Sequence, residues 1–144
     1  MGSNGGGVAA GDFNRDGHQD LAVGVYNIVP NNHIAVYLGN GDGSFVAGQK
    51  ILVSDPQAVV ATDFDDDGNV DLAAATFNSE AVVFSLGDGT GRFRPPLKFT
   101  IGGTNPQPLD LASGDFNGDG RPDLVTADYG NGTATVFLSV SCGP

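Results

Sequence analysis

One nine-residue pattern, D-x-[DN]-x-D-G-x-x-D, occurs three times and limits the fold more than any other feature. The copies run Asp12-Phe13-Asn14-Arg15-Asp16-Gly17-His18-Gln19-Asp20, Asp63-Phe64-Asp65-Asp66-Asp67-Gly68-Asn69-Val70-Asp71 and Asp115-Phe116-Asn117-Gly118-Asp119-Gly120-Arg121-Pro122-Asp123. Each sets side-chain oxygens at loop positions 1, 3, 5 and 9. A hard dication such as Ca²⁺ takes about six to eight oxygen ligands at about 2.3–2.6 Å, which short acidic side chains on a tight turn can supply. The candidate side-chain ligands are Asp12, Asn14, Asp16 and Asp20, then Asp63, Asp65, Asp67 and Asp71, then Asp115, Asn117, Asp119 and Asp123. Position 7 changes type (His18, Asn69, Arg121), which fits a ligand given by the backbone carbonyl. Gly17, Gly68 and Gly120 hold position 6, where a turn needing φ > 0 would strain other residues. Without a cation, carboxylates packed this closely repel one another. About three bound Ca²⁺, one per copy, are expected.

The loops are spaced as a repeat. Asp12 to Asp63 is 51 residues and Asp63 to Asp115 is 52. A short apolar stretch precedes each loop: Val8-Ala9-Ala10, Ala58-Val59-Val60-Ala61 and Leu109-Asp110-Leu111-Ala112. Two further apolar runs follow each loop, beginning at Leu21 and Ile34, at Leu72 and Val82, and at Leu124 and Ala134. Their apolar residues fall on both faces, as in a strand covered on two sides. Glycine-rich turns at Gly39–Phe45 and Gly87–Phe93 lead to a fourth strand near Phe45–Val53 and near Phe93–Ile101. The third copy has no fourth strand after Ser139, and Gly2–Gly7 reads as a flexible tract. Extra residues fall in loops, three near Asn27–Asn32 and four before the third metal loop, and spare the strands. A four-stranded unit of about 50 residues is the size of a propeller blade.

These repeats resemble the FG-GAP/VCBS family of calcium-binding blades, the type that builds the integrin α-subunit head and many bacterial surface proteins. The resemblance rests on Gly11-Asp12-Phe13-Asn14-Arg15-Asp16-Gly17-His18-Gln19-Asp20-Leu21 with its counterparts, and on Leu38-Gly39-Asn40-Gly41-Asp42-Gly43-Ser44-Phe45. It covers almost the whole chain. It implies an all-β fold of antiparallel propeller blades, with a cation loop joining the innermost strand of each blade to the second. It also implies adhesion or protein–protein contact, often outside the cell. We therefore expect one repeat domain over 1–144, with blade 1 at about 8–53, blade 2 at about 57–101 and blade 3 at about 107–140. Three blades subtend too little of a circle to close. Either the chain is a segment of a longer propeller or copies associate, and a two-fold pair would give six blades.

Charge excludes some partners. The net charge is −11, with 6 Lys and Arg in all, so phosphate backbones are opposed and nucleic acid is not an expected partner. Of 17 acidic residues, 11 lie in the three loops, so the acidity is mostly site chemistry. No apolar run reaches the ~20 residues of a membrane-spanning helix. Met1-Gly2-Ser3 resembles a sequence added for expression, which leaves room for a natural export signal. Cys142 is the one cysteine, so no intrachain disulfide forms. Calcium sites of modest affinity suit the extracellular space or the cell surface.

Competing readings fail on particular residues. An EF-hand needs a bidentate Glu at position 12, where Val23, Ala74 and Thr126 stand. Gly39-Asn40-Gly41-Asp42-Gly43 lacks the Lys-Ser/Thr of a phosphate loop and reads as a hairpin turn. Phe13, Phe64 and Phe116 read as packing between blades, and Arg15 and Arg121 as screening for the carboxylates. His18 and His33 have no nucleophile partner, and Cys142 reads as a strand-end residue. Asn131-Gly132-Thr133 fits the N-glycosylation pattern, one that arises often by chance. Carboxylates that hold Ca²⁺ are poor proton donors, so no catalytic residue is assigned and the chain is not read as an enzyme. The expectation is a calcium-stabilised interaction scaffold with a protein or glycan ligand. Two alternatives stand beside it. One is a lectin-like propeller whose Tyr26, Tyr37, Phe77 or Tyr129 stacks on a sugar ring. The other is an accessory propeller of a larger secreted enzyme.

Overall fold

The computed structural model describes residues 4–26 and 31–139, and all regular structure among them is β-strand. Part of the expected Asn27–Asn32 insertion, Met1–Ser3, Val140 and Cys142 lie outside the described residues. The strands are β1 (Asn4–Gly11), β2 (Asp20–Tyr26), β3 (His33–Gly39), β4 (Phe45–Leu52), β5 (Pro56–Thr62), β6 (Asp71–Thr76), β7 (Ala81–Ser85), β8 (Leu97–Thr100), β9 (Pro108–Gly114), β10 (Asp123–Asp128) and β11 (Thr133–Phe137). They form three antiparallel meanders: β1-β2-β3-β4, β5-β6-β7-β8 and β9-β10-β11. The sheets are open, as in blades of a partial propeller, and their first strands lie side by side, β5 between β1 and β9.

Register is repeated from blade to blade. Val8 pairs with Val23, Val59 with Ala74 and Leu111 with Thr126, so those three pairs are equivalent. One face of each sheet looks to the next blade and the other looks back. Phe13, Ala22, Ile34 and Val36 of the first blade meet Val59, Leu72, Ala74 and Phe93 of the second in one core. Ala58, Ala73, Ala75 and Val82 of the second meet Leu111 and Leu124 of the third in another. Strand β6 is buried along its whole length because both its faces are covered. Its Leu72-Ala73-Ala74-Ala75 run supplies the small side chains that allow two neighbours to come close.

Within the described residues, the glycine tract expected to be flexible is a strand, and Gly2 lies outside them. Residues Asn4–Gly7 continue β1, with an irregularity in the pairing between Gly5 and Val8. Close approach explains the composition. A Cβ on Gly6 would run into the carbonyl oxygen of Pro56, and one on Gly7 would come within 2.8 Å of the Ala58 Cα. The first two blades therefore meet backbone to backbone at their inner strands.

The recurring Phe packs as expected in the first two copies, whereas Phe116 in the third does not. Phe13 is buried edge-on against Phe93, with ring centroids 5.4 Å apart. Phe93 reaches back from the second blade, and its backbone is clasped by the Gln49 side chain through Phe93 N–H to Oε1 at 2.8 Å and Nε2–H to Phe93 O at 3.0 Å. Phe64 instead packs on Phe84, at 5.2 Å, beside an apolar cleft of about 440 Å³. Phe84, Leu97, Phe99, Leu124 and Phe137 also line that cleft. No counterpart of Phe93 follows β11 among the described residues, and the cleft marks the place one would fill. Phe116, with no further blade packed on it among the described residues, is exposed.

The backbone contact gives a discriminating pair of variants. Gly6→Ala should lower stability by about 2 kcal/mol or more, as overpacking does. Gly5→Ala, with nothing within 4 Å of the added carbon, should cost less than half of that. Urea denaturation of both against the parent chain reads the difference, and equal losses would contradict the close approach.

Candidate metal loops

Each loop joins the first strand of its blade to the second, and its conformation is written by hydrogen bonds from backbone N–H to Asp oxygens. At position 1, Asp12 accepts from Asp16 N–H at 3.1 Å and from Gly17 N–H at 2.9 Å. Asp63 repeats this with Asp67 and Gly68, and Asp115 with Asp119 and Gly120. At position 5, Asp16, Asp67 and Asp119 accept the position-7 N–H of His18, Asn69 and Arg121 at 2.8, 2.7 and 2.9 Å. Asn14 and Asn117 donate their amides to the position-5 carboxylate, at 2.8 and 3.0 Å. These bonds draw the oxygens to one side of the turn. The position-6 glycines sit at φ 83–85°, in the left-handed region expected for them.

Position 4 is left-handed as well. Arg15 has φ 60° and Asp66 φ 62°, while the third copy uses Gly118 at 79°. Sequence reading missed this requirement, although the glycine in one copy was its signal. The αL conformation is unusual for a non-glycine residue.

Position 9 does something the pattern alone did not reveal. Asp20, Asp71 and Asp123 are buried, and each has both oxygens engaged by backbone donors. Asp20 takes Phe13 N–H at 2.7 Å and Gly39 N–H at 2.8 Å. Asp71 takes Phe64 N–H at 2.9 Å and Gly87 N–H at 2.8 Å. Asp123 takes Phe116 N–H at 2.9 Å and Ser139 N–H at 2.8 Å. One carboxylate thus ties the start of the loop to the residue that closes the third strand. On Asp20 and Asp71 each oxygen keeps a second lone pair for a cation, whereas Asp123 Oδ1 also accepts the Ser139 hydroxyl at 3.2 Å.

Oxygens of Asp63, Asp65 and Asp71 lie within 4.8 Å of one another, a donor set that a metal ion can bridge. Loops 1 and 3 have neutral Asn14 and Asn117 where loop 2 has Asp65. All of these donors are hard oxygens, so the chemistry of the set suits Ca²⁺ or Mg²⁺ and not a soft metal. Arg15 leans from loop 1 onto loop 2. Its Nη2 donates to the Gly68 carbonyl at 2.8 Å, and its charge helps to hold the Asp67 carboxyl down. His18 lies against Gly41 and Asn69 against Gly89, so position 7 also packs each loop onto its hairpin turn. In those turns Asp42 and Asp88 accept from Ser44 and Thr90.

Local bonding sets the acidities. Asp16 and Asp67 fall below the ordinary value of 3.8, first through the His18 and Asn69 N–H groups. Asp115 is lowered first by Gly120 N–H and Asp123 first by Ser139 N–H. Asp71 is raised, first by burial and then by the neighbouring Asp65 and Asp67, against the pull of its two backbone donors. Asp71 sits in the middle blade with neighbours on both sides, whereas Asp123 belongs to the blade with an open face.

Asp20→Ala should cost about 3 kcal/mol in urea denaturation without calcium, because it strands two N–H groups that charge-assisted bonds now satisfy. A loss within experimental error would show the staple to be idle. Acidity gives a second expectation. Asp16, Asp67, Asp115 and Asp123 have folded pKa values below the unfolded one, so their contribution is complete above about pH 4 and drains away as pH falls through the folded values. Asp71 runs the other way, since its protonation relieves the folded state. Asp42 and Asp88 in the hairpin turns are lowered too, first by the Ser44 and Thr90 hydroxyls, so six groups oppose one and the melting temperature in calcium-free buffer should fall on acidification below about pH 4. A rise would reverse the assignment.

A sequence profile described as FG-GAP-like repeat matches the chain twice, at residues 12–74 and 63–126. Each match opens on the first aspartate of a loop and runs through the following loop, so the repeat detected is the one seen in the strands. No curated protein matches the chain.

Proposed function

Because the chain belongs to the FG-GAP-like repeat family, we propose that it is a Ca²⁺-stabilised β-propeller segment that serves as an extracellular adhesion or protein-interaction scaffold. The observation that carries this reading is one loop geometry built three times, with the oxygens of Asp63, Asp65 and Asp71 gathered within 4.8 Å. Asp12, Asn14, Asp16 and Asp20 would hold the first ion. Asp63, Asp65, Asp67 and Asp71 would hold the second, and Asp115, Asn117, Asp119 and Asp123 the third. The position-7 carbonyls of His18, Asn69 and Arg121 would complete each set. Bound Ca²⁺ supplies positive charge that offsets carboxylate repulsion and fastens the turn between the first two strands.

Two residue classes then divide the work. The buried position-9 aspartates keep the loop registered on its blade whether or not an ion is present. The aspartates at positions 1 and 5, half-buried at Asp12 and Asp63 and exposed elsewhere, offer oxygens to the ion, with Asp65 adding a third charge in loop 2. Exposed acidic sites of this sort fill where calcium is plentiful, which favours the outside of the cell. No helix of the described residues is long and apolar enough to cross a membrane. We read the chain as a binding scaffold and assign it no catalytic residue. The glycan reading gains nothing from the cleft between the second and third blades. That cleft is lined mainly by apolar side chains, with Asp65 and Ser139 beside them, and contains none of Tyr26, Tyr37, Phe77 or Tyr129.

Calcium titration tests the reading. With free Ca²⁺ near 100 times the dissociation constant, each site adds about 2.7 kcal/mol, a rise of roughly 5 to 10 °C in melting temperature for a domain of this size. Calorimetry should count about three ions, and Asp63→Ala with Asp65→Ala should remove one. A melting curve indifferent to both calcium and chelator would overturn it.

A further inference from the structure

The two outermost sheet faces of the chain are halves of a junction that it already builds twice. Facing backward, Val8, Val59 and Leu111 are equivalent by register. Val59 is 6% exposed and Leu111 8%, because a preceding blade covers them, while Val8 is 61% exposed. Facing forward, Phe13, Phe64 and Phe116 are equivalent by loop position. Phe13 is 2% exposed beneath the following blade, and Phe116 is 52% exposed. Strand residues repeat the contrast. Val36, paired with Ala22, is buried, whereas Val136, paired with the equivalent Val125, is exposed. Tyr37 is also exposed beside Leu21 on the back of the first blade.

We propose that the back of blade 1, around Val8 and Tyr37, docks on the front of blade 3, around Phe116, Val125 and Val136, of a second copy. Made twice about a two-fold axis, this junction closes six blades into one ring. The occupant follows from continuity. The surface that fits the front of blade 3 is the back of a blade, and the back of blade 1 offers Val8 and Leu21 where the covered blades offer Val59 and Leu72, or Leu111 and Leu124. Burial of such faces is favourable at about 25 cal/mol per Å² of apolar surface. Six blades fall within the usual four to eight of a closed propeller, and closed two-fold pairs are the commonest assemblies. Asp110 opposes the docking. It stands where buried Ala58 and close-packed Gly7 stand in the other blades, so its carboxylate would have to leave water.

This inference does not depend on the proposed calcium role, since it rests on apolar faces that are present without any ion. Sedimentation velocity of the 144-residue chain at about 1 to 100 µM, in calcium and in chelator, tests it. The expected species is a dimer, twice the 14.6 kDa of the chain. Val8→Asp and Phe116→Asp, both at exposed positions, should each give a folded monomer, with folding read from circular dichroism. Loss in both variants is required, because front-to-front pairing would be sensitive only to Phe116 and back-to-back pairing only to Val8. Asp110→Ala should tighten the dimer by about tenfold. A monomer at every concentration, an open-ended polymer, or a dimer that survives either substitution would overturn the proposal.

Discussion

A buried carboxylate between two backbone N–H groups is the interaction on which each blade rests. Asp20, Asp71 and Asp123 occupy the same place and make the same pair of bonds. Burying an ionised carboxylate is costly unless its oxygens are well supplied with donors. Here the donors are main-chain amides that would themselves be unsatisfied inside the blade. Each group thus removes the penalty of the other. The result fixes the distance between the acidic loop and the hairpin turn, and with it the position of every other oxygen in the loop. Loop geometry is therefore tied to the sheet through these bonds.

That ordering explains how one blade type fits three environments. Asp71, enclosed between two neighbours, feels desolvation and the charges of Asp65 and Asp67, while Asp123 at an open face is governed by its Ser139 donor. Strand β6 became an alanine run because both sides are pressed by other sheets. Strands β8 and β11, at the margins, are largely exposed. The chemistry of the loop is the same in all three places, and the packing around it is not.

Much of this was legible in the residues. Repeat length, the strands after each loop and the glycines at position 6 follow from local periodicity and turn chemistry, which a sequence records directly. What escaped was long-range. Gly5-Gly6-Gly7 looks like a flexible leader unless Pro56 and Ala58 are known to lie against it. The second duty of the position-9 aspartates could not be seen because their partners at Gly39, Gly87 and Ser139 are 16 to 19 residues away. The left-handed Arg15 and Asp66 were hidden by their side chains, though Gly118 at the same place was a clue. The Asp pattern itself was read as ligand chemistry throughout, whereas part of it is internal scaffolding.

Phe93 reaching back to Phe13 has a consequence for how such arrays grow. The aromatic that seals one repeat is encoded in the repeat after it, so the unit of folding is offset from the unit of duplication. Copying a repeat therefore heals one vacancy and creates another at the new boundary. Among the described residues no such aromatic reaches Phe64, and a greasy hollow lies beside it.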